Sequence, residues 1–418
     1  MHPTMIPPEE AWERLLPHLK ALPEEAVERH RAGGRVLTRP LEATVDVPAH
    51  DVSAMDGYAV TEKPSVGARL PVAGTVVAGD PPGFDLAPGQ GVRIMTGAPV
   101  PAGAERVIPV ELTDDGDRVV EITLDPGDKK HIRHQGEVLK TGAPLLPAGA
   151  LLTPATLGLL ATHGYGSVPV HRQPQVAILT TGDEVVPPET VPQPGQLRDS
   201  HTDFLRAAVA SVGAEGEALG IAPDEPDALR RRIERGLEAD VLLLTGGVSM
   251  GKYDLVEGVL ESLGCTILFE KVAVQPAKPV VAAIHPRKNR HDRDGDDGRP
   301  GLVFGLPGNP ASAMVAFWLF VRPTLRYLSG WPDGYWQGAL QAELAAPLPG
   351  AKARDRFLPT TVRFAGGRIL ATPHPPIGSH DLAAYARGTA LVRIPAHAPP
   401  RSPGESCEVL PLADWRGE

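Results

Sequence analysis

Three times in the second half of the chain an apolar run ends in a short glycine turn and passes into a segment of helical spacing. The three are "VAILTTGDE" (Val176–Glu184), "VLLLTGGVSMGKYD" (Val241–Asp254) and "LVFGLPGNPASA" (Leu302–Ala313). Continuous apolar runs of this length suit strands buried on both faces, as in a parallel sheet covered by helices. Between and after them the spacing predicts helices from about Asp199, over Pro226–Leu237 and over Asp254–Gly264, further strands at "TILFEKVAV" and "PVVAAI", and a long helix, "PASAMVAFWLFVRPTLRYLSG". Such alternation specifies a doubly wound, mostly parallel sheet whose ligands lie beyond the carboxyl ends of its strands.

Those strand ends carry groups that a plain turn does not need. After the first comes Glu184; after the second come Gly246, Gly247, Ser249 and Asp254; after the third come Gly308, Asn309 and Pro310. Backbone N–H groups in glycine turns, helped by the positive end of the next helix, attract anions. Asn309 is a natural N-cap and Pro310 a natural first helical residue. Glu184, Asp254 and Asp224 ("IAPDEPDAL") add carboxylates to the same edge. Carboxylates and phosphates share a pocket through a hard cation such as Mg²⁺, although Asp224 has an alternative role as a helix cap.

Composition narrows the rest. With 418 residues the chain should hold two to four domains. Cys265 and Cys407 are far apart and outside any paired motif, so they form neither a disulfide scaffold nor a cysteine zinc site and suit a reducing cytosol. A net charge of −10 without a basic block argues against nucleic acid, and the longest apolar run, "AMVAFWLFV", is too short to span a bilayer. A cytoplasmic protein is expected, with no nucleic-acid or membrane partner. The abundance of arginine over lysine, 31 to 10, and the 46 prolines suit either a thermophile or a GC-rich genome.

Along the chain, "PPEEAWERLLPHLKALPEEAVERHRAGG" reads as two short helices, the first broken near Pro17 and the second stopped at Gly33 and Gly34. From Asp46 to Val138, short alternating strands between Pro/Gly turns indicate a small β domain. Helical and turn-rich material returns from Thr141 to Arg172, and from Trp331 short strands such as "RFLPTTVRF" indicate a second β domain. "HDRDGDDG" (His291–Gly298) imitates a calcium loop, but its glycine falls one place late for an EF-hand; a solvated hairpin tip is the simpler reading.

The blocks "SAMDGYAV", "RIMTGAPVPAGAE", "IRHQGE", "LTTGDE", "QLRDS", "TGGVSMGKYD", "AKPV" and "GLPGNPASA", in this order, resemble the MoeA family of molybdopterin molybdenumtransferases, to which the gephyrin E domain is related. The resemblance implies a multidomain α/β plus β fold: a helical arm (1–45 with 139–172), an inserted β domain (46–138), a doubly wound MogA/MoaB-like α/β domain (173–330) and a C-terminal β-barrel domain (331–418). It implies a homodimer, a MogA-like molybdopterin adenylyltransferase as partner, and insertion of molybdenum from molybdate into adenylylated molybdopterin with release of AMP, assisted by a divalent metal such as Mg²⁺. Carried over residue by residue, it assigns catalysis to Asp56, Thr96, Glu184 and Asp254 and phosphate binding to the glycine loops; Glu184 and Asp254, as hard oxygen donors, are the expected metal ligands, and Asp224, from its place on the same edge, is a further substrate-binding candidate. Molybdate falls to Lys278, Pro279, Arg356 and Ser379. No P-loop lysine is needed, because the substrate is a mixed anhydride and no γ-phosphoryl group is transferred.

Three positions depart from the family pattern. Val138 stands where a carboxylate is usual, His201 replaces an asparagine, and Gln275-Pro276-Ala277 replaces the opening of a Lys-Pro-Gly-Lys-Pro block. A charge-assisted contact to a dianion is roughly twice as strong as a neutral one, so glutamine should weaken molybdate capture. These departures keep two alternatives open: a scaffold of the same fold that inserts metal weakly, and an insertase preferring tungstate. His201, at a helix start, is expected to face solvent.

Overall fold

The computed structural model describes residues 5–81, 85–246, 255–286, 299–331 and 334–412. The chain divides into two compact units, one of Met1–Val27, Ala32–Thr38 and Pro169–Glu418, the other of Glu28–Arg31 and Arg39–Val168.

The centre of the first unit is a six-stranded sheet. Its strands are β1 (Gln175–Thr181), β2 (Glu215–Ala222), β3 (Val241–Thr245), β4 (Thr266–Lys271), β5 (Pro279–His285) and β6 (Gly301–Leu306), in the order β2-β1-β3-β6-β5-β4. The first four in that order run parallel; β5 runs antiparallel to β6, and the edge strand β4, antiparallel to β5, again follows the direction of the first four. Alternate residues feed opposite layers. Ile178, Leu243 and Phe304 face a layer holding α1 (His201–Ser211) and the long C-terminal helix, whereas Leu179, Leu244 and Val303 face α2 (Pro226–Gly236) and α3 (Leu255–Ser262). Both faces are therefore dry, as the unbroken apolar runs require. The long helix runs from Pro310 to Leu328 with a π-helical segment, Phe317–Val321, just before Pro323. The wider turn accommodates a proline that cannot donate within the helix.

The C-terminal strands close on themselves. Leu340–Leu344, Asp355–Ala365, Arg368–Pro373, Ala390–Ile394 and Ser406–Pro411 form a barrel closed by pairing between Asp355–Ala365 and Ala390–Ile394, with Leu344, Leu358, Val392 and Val409 inside. The short strand Val274–Gln275 joins its rim in parallel with Asp355 and Arg356.

The second unit holds a five-stranded sheet in the order Arg106–Pro109, Gly57–Val60, Gly91–Ile94, Arg69–Val76, Val119–Glu121. Val92, Ile94 and Val107 fill its core. Its one α-helix among the described residues, Pro154–Thr162, starts at a capping box between Thr153 and Thr156.

Two expectations need correction. The second N-terminal helix is a strand, Glu24–Glu28, paired with Ser167–His171 and followed by a 3-10 turn at Arg29–Arg31. The sheet also contains β2, which the sequence reading missed: its glycines and glutamates lack the β-branched signature, and its place comes from pairing with β1.

Candidate functional site

At the carboxyl edge of the sheet, β3 is followed by Gly246 with φ +85°, and a Cβ there would stand 2.6 Å from the Thr181 carbonyl oxygen. Only glycine fits so close to the neighbouring strand. Gly308 follows β6, and a Cβ on it would lie 3.7 Å from Gly246 Cα, so the two turns adjoin. Asn309 takes the N-cap position ahead of Pro310 without a side-chain cap bond; its carbonyl accepts from Ser312 and Ala313. Gly247, Ser249 and Asp254 lie outside the described residues, as does 291–298.

Beside the glycines, β1 runs into Asp183 and Glu184. Asp183 Oδ1 accepts from the Asp224 backbone N–H at 3.0 Å, which ties the end of β1 to the end of β2. Burial first, and then the charges of Asp183 and Glu184, push the Asp224 carboxyl above the ordinary carboxylate range. Asp224 does not cap α2; the N-cap is Glu225, without a side-chain bond. Three carboxylates that repel one another suit a cation-binding edge, yet among the described residues no group of three or more His, Cys, Asp or Glu side chains is arranged to enclose a metal ion. A Mg²⁺ ion fits such an edge when phosphate oxygens complete its shell.

His201 departs from expectation: it is 8% exposed, with Nε2 unpartnered. Burial lowers its pKa against the opposing pull of Asp199 and a backbone hydrogen bond at Pro307, so the imidazole bridges the start of α1 and the turn after β6. The carboxyl of Asp199 anchors that helix start, accepting from His201 N and Thr202 N, and from Thr202 Oγ1 at 2.6 Å.

Two of the segments assigned to molybdate meet at the barrel rim. Gln275 and Arg356 are register partners on paired strands, exposed Lys278 lies three residues beyond Gln275, and Pro279 opens β5. Ala277, where the family block has glycine, is buried at φ +81°. Asp355 is buried and held by Arg393 Nε at 2.7 Å. Arg356, the next residue along the strand, lines a pocket of about 480 Å³ with Pro375 and Arg401. Arg354 Nη1 donates to the Val274 carbonyl at 3.3 Å, a second guanidinium beside Gln275 that the sequence reading passed over. Ser379 sits in a turn fixed by Asp381 Oδ2, which accepts from Ile377 N.

In the second unit, Asp56 and Thr96 meet. Asp56 precedes Gly57–Val60, Thr96 follows Gly91–Ile94, and the antiparallel pairing Gly57↔Ile94 brings them together, with Thr96 N donating to Asp56 Oδ1 at 2.6 Å. Hydrogen bonds from Thr96 lower the exposed Asp56 carboxyl below its usual range. Val138 is exposed at the end of a loop that Asp46 and Asp51 hold through Gln135 and Thr141.

Residues 6–164 match the MoeA N-terminal region (domains I and II), 177–327 a probable molybdopterin binding domain, and 341–412 the MoeA C-terminal region (domain IV). A molybdopterin molybdenumtransferase from a Nostoc species is 36% identical over 402 residues, 93% of this chain and 88% of its own. The chain belongs to the MoeA family. A molybdopterin molybdenumtransferase from Bacillus subtilis is 32% identical over 427 residues, covering 99% of this chain and 96% of its own. A crystal structure of a molybdopterin biosynthesis MoeA protein from Pyrococcus horikosii superposes with a TM-score of 0.78 at 30% identity, over 99% of this chain and 100% of the other. As a MoeA-family member the chain is a transferase of molybdenum cofactor biosynthesis.

Proposed function

We propose that this MoeA-family chain inserts molybdenum from molybdate into adenylylated molybdopterin and releases AMP, as a cytoplasmic homodimer of four-domain subunits supplied by a MogA-like adenylyltransferase. The observation that carries the reading is the sharing of one sheet edge by the Gly246 and Gly308 turns and the mutually repelling carboxylates of Glu184 and Asp224. The turns offer backbone N–H groups to the diphosphate. Glu184 with Asp254 would hold Mg²⁺, which when bound would supply charge neutralisation to the phosphate oxygens. Lys278, Arg356 and Ser379 orient the oxyanion, with Gln275 contributing a neutral contact. Asp56, held ionised by Thr96, acts as a fixed negative charge or proton acceptor in the pocket it reaches.

The purified protein, given adenylylated molybdopterin, Mg²⁺ and molybdate, should release AMP in a molybdate-dependent reaction that chelation stops. Tight substrate binding without molybdate-dependent AMP release would favour the scaffold alternative, and faster release with tungstate the other. Gln275→Lys should tighten molybdate by about five- to thirty-fold, the equivalent of about 1–2 kcal/mol, in the molybdate dependence alone. A flat response would remove position 275 from oxyanion capture and direct attention to Arg354 and Arg356.

A further inference from the structure

The turn 272–278, which carries Gln275 to the barrel rim, is gripped from two sides. On one side lies the segment ahead of the helix Pro8–Leu15: Ile6 N donates to the Lys271 carbonyl at 3.1 Å, and Ala273 N to the Ile6 carbonyl at 2.7 Å. On the other side, Asp355 N donates to the Ala273 carbonyl at 3.0 Å, one residue before Arg356. Strand alternation sends Asp355 and Arg356 to opposite faces. Phe357, two places after Asp355, packs in the core of the α/β sheet, whereas Leu358, two places after Arg356, packs inside the barrel.

Arg393 ties the two sides together. From the strand Ala390–Ile394, paired with Asp355–Ala365, its Nε and Nη2 reach Asp355 Oδ2 at 2.7 and 2.6 Å, and Nη2 also donates to Glu9 Oε1 at 2.6 Å on the helix Pro8–Leu15. Asp355 Oδ1 accepts from Ala396 N at 2.9 Å. The buried carboxylate is thus fully engaged on its own face, and the guanidinium of Arg356 is left to line the 480 Å³ pocket. Removing one partner of a buried pair strands the charge of the other. Here the stranded charge is a carboxylate one residue from an arginine that receives a dianion. We propose that Arg393 is a positioning residue for oxyanion capture: by bracing Asp355 against Glu9 it fixes the spacing of Gln275 and Arg356 and keeps the adjacent carboxylate neutralised, without itself touching the oxyanion. This rests on the proposed function for the identity of the oxyanion as molybdate, but not for the bracing of the rim.

The test is the molybdate dependence of AMP release by the intact protein, measured well below the Tm of each variant. Arg393→Gln should raise the KM for molybdate by about ten-fold or more, while kcat at saturating molybdate and the KM for adenylylated molybdopterin stay within about two-fold of the parent. Arg393→Lys, which keeps the charge, should recover most of that loss. Glu9→Gln breaks only the link to the helix, at its half-exposed end, and should raise the molybdate KM by about three-fold. It decides the matter if Arg393→Gln does not fold. A role in stability alone would lower Tm and the active fraction without moving one KM apart from the other, and that result, or an unchanged molybdate KM in the folded variants, would overturn the proposal. A parent protein that releases no AMP removes the insertase reading instead. The same variants are then titrated with molybdate alone by calorimetry, where the same order of affinities is expected, and a parent that binds no molybdate overturns the positioning role as well.

Discussion

Asp224 pays for its position in stability, and the sign of that cost is testable. Its carboxyl is raised above the ordinary value near 3.8 by burial and by Asp183 and Glu184, so the folded state holds its proton more tightly than the unfolded chain does. Its contribution to stability is fully present below about pH 4 and is lost as pH rises through the folded pKa. Asp224→Asn removes that loss. The variant should melt at a higher temperature than the parent at pH 7, with the difference shrinking to nothing below about pH 4, while AMP release falls. A variant less stable than the parent at pH 7 would mean that Asp224 is held by a partner that the carboxylate needs. The grouping of glycines and carboxylates at the sheet edge was legible because both follow strand ends in the sequence. His201 was misjudged because its imidazole bonds to the backbone at Pro307, more than a hundred positions away, and helix spacing alone does not report that contact.

Elements were legible where one physical signal dominated. β1, β3 and β6 are unbroken apolar runs because both of their faces are covered, and no helix pattern competes at that length. Glu24–Glu28 is rich in helix formers, yet it pairs as a strand with half-exposed alternation, because the partner at Ser167–His171 supplies what local propensity does not. The block "SAMDGYAV" carries an element-level constraint of its own. A Cβ on Gly57 would lie 1.9 Å from the Ile108 carbonyl oxygen, so the strands flanking Asp56 approach only because residue 57 has no side chain. Gly57→Ala should therefore separate the strands and lower stability by about 3 kcal/mol, read as a fall in Tm and in the denaturant midpoint. The same change should weaken the Asp56–Thr96 contact, so the variant kept well below its Tm should still lose activity. Unchanged stability would show that the sheet absorbs a methyl there, and that Gly57 serves only the loop before it.

At the scale of the whole molecule, the residues proposed for one reaction are divided between the two compact units: Asp56 and Thr96 in one, Glu184, Asp224, Lys278 and Arg356 in the other. Closed two-fold assembly is the commonest way for a chain to bring such distant segments into one pocket, since a symmetric interface supplies the missing half twice. We propose a homodimer in which Asp56 of each subunit completes the pocket of its partner. Light scattering should give twice the chain mass of 44.2 kDa at micromolar concentration. A sharper test mixes two inactive variants, Asp56→Asn and Glu184→Gln, under conditions that exchange subunits. In a mixed dimer, one pocket receives Glu184 from its own chain and Asp56 from the other, and the second pocket receives neither. Half of the dimers are mixed at equal input, so activity should return to about a quarter of the parent level. If Asp56 acts within its own chain, each mixed dimer contains two pockets with one defect each, and no activity returns at any ratio.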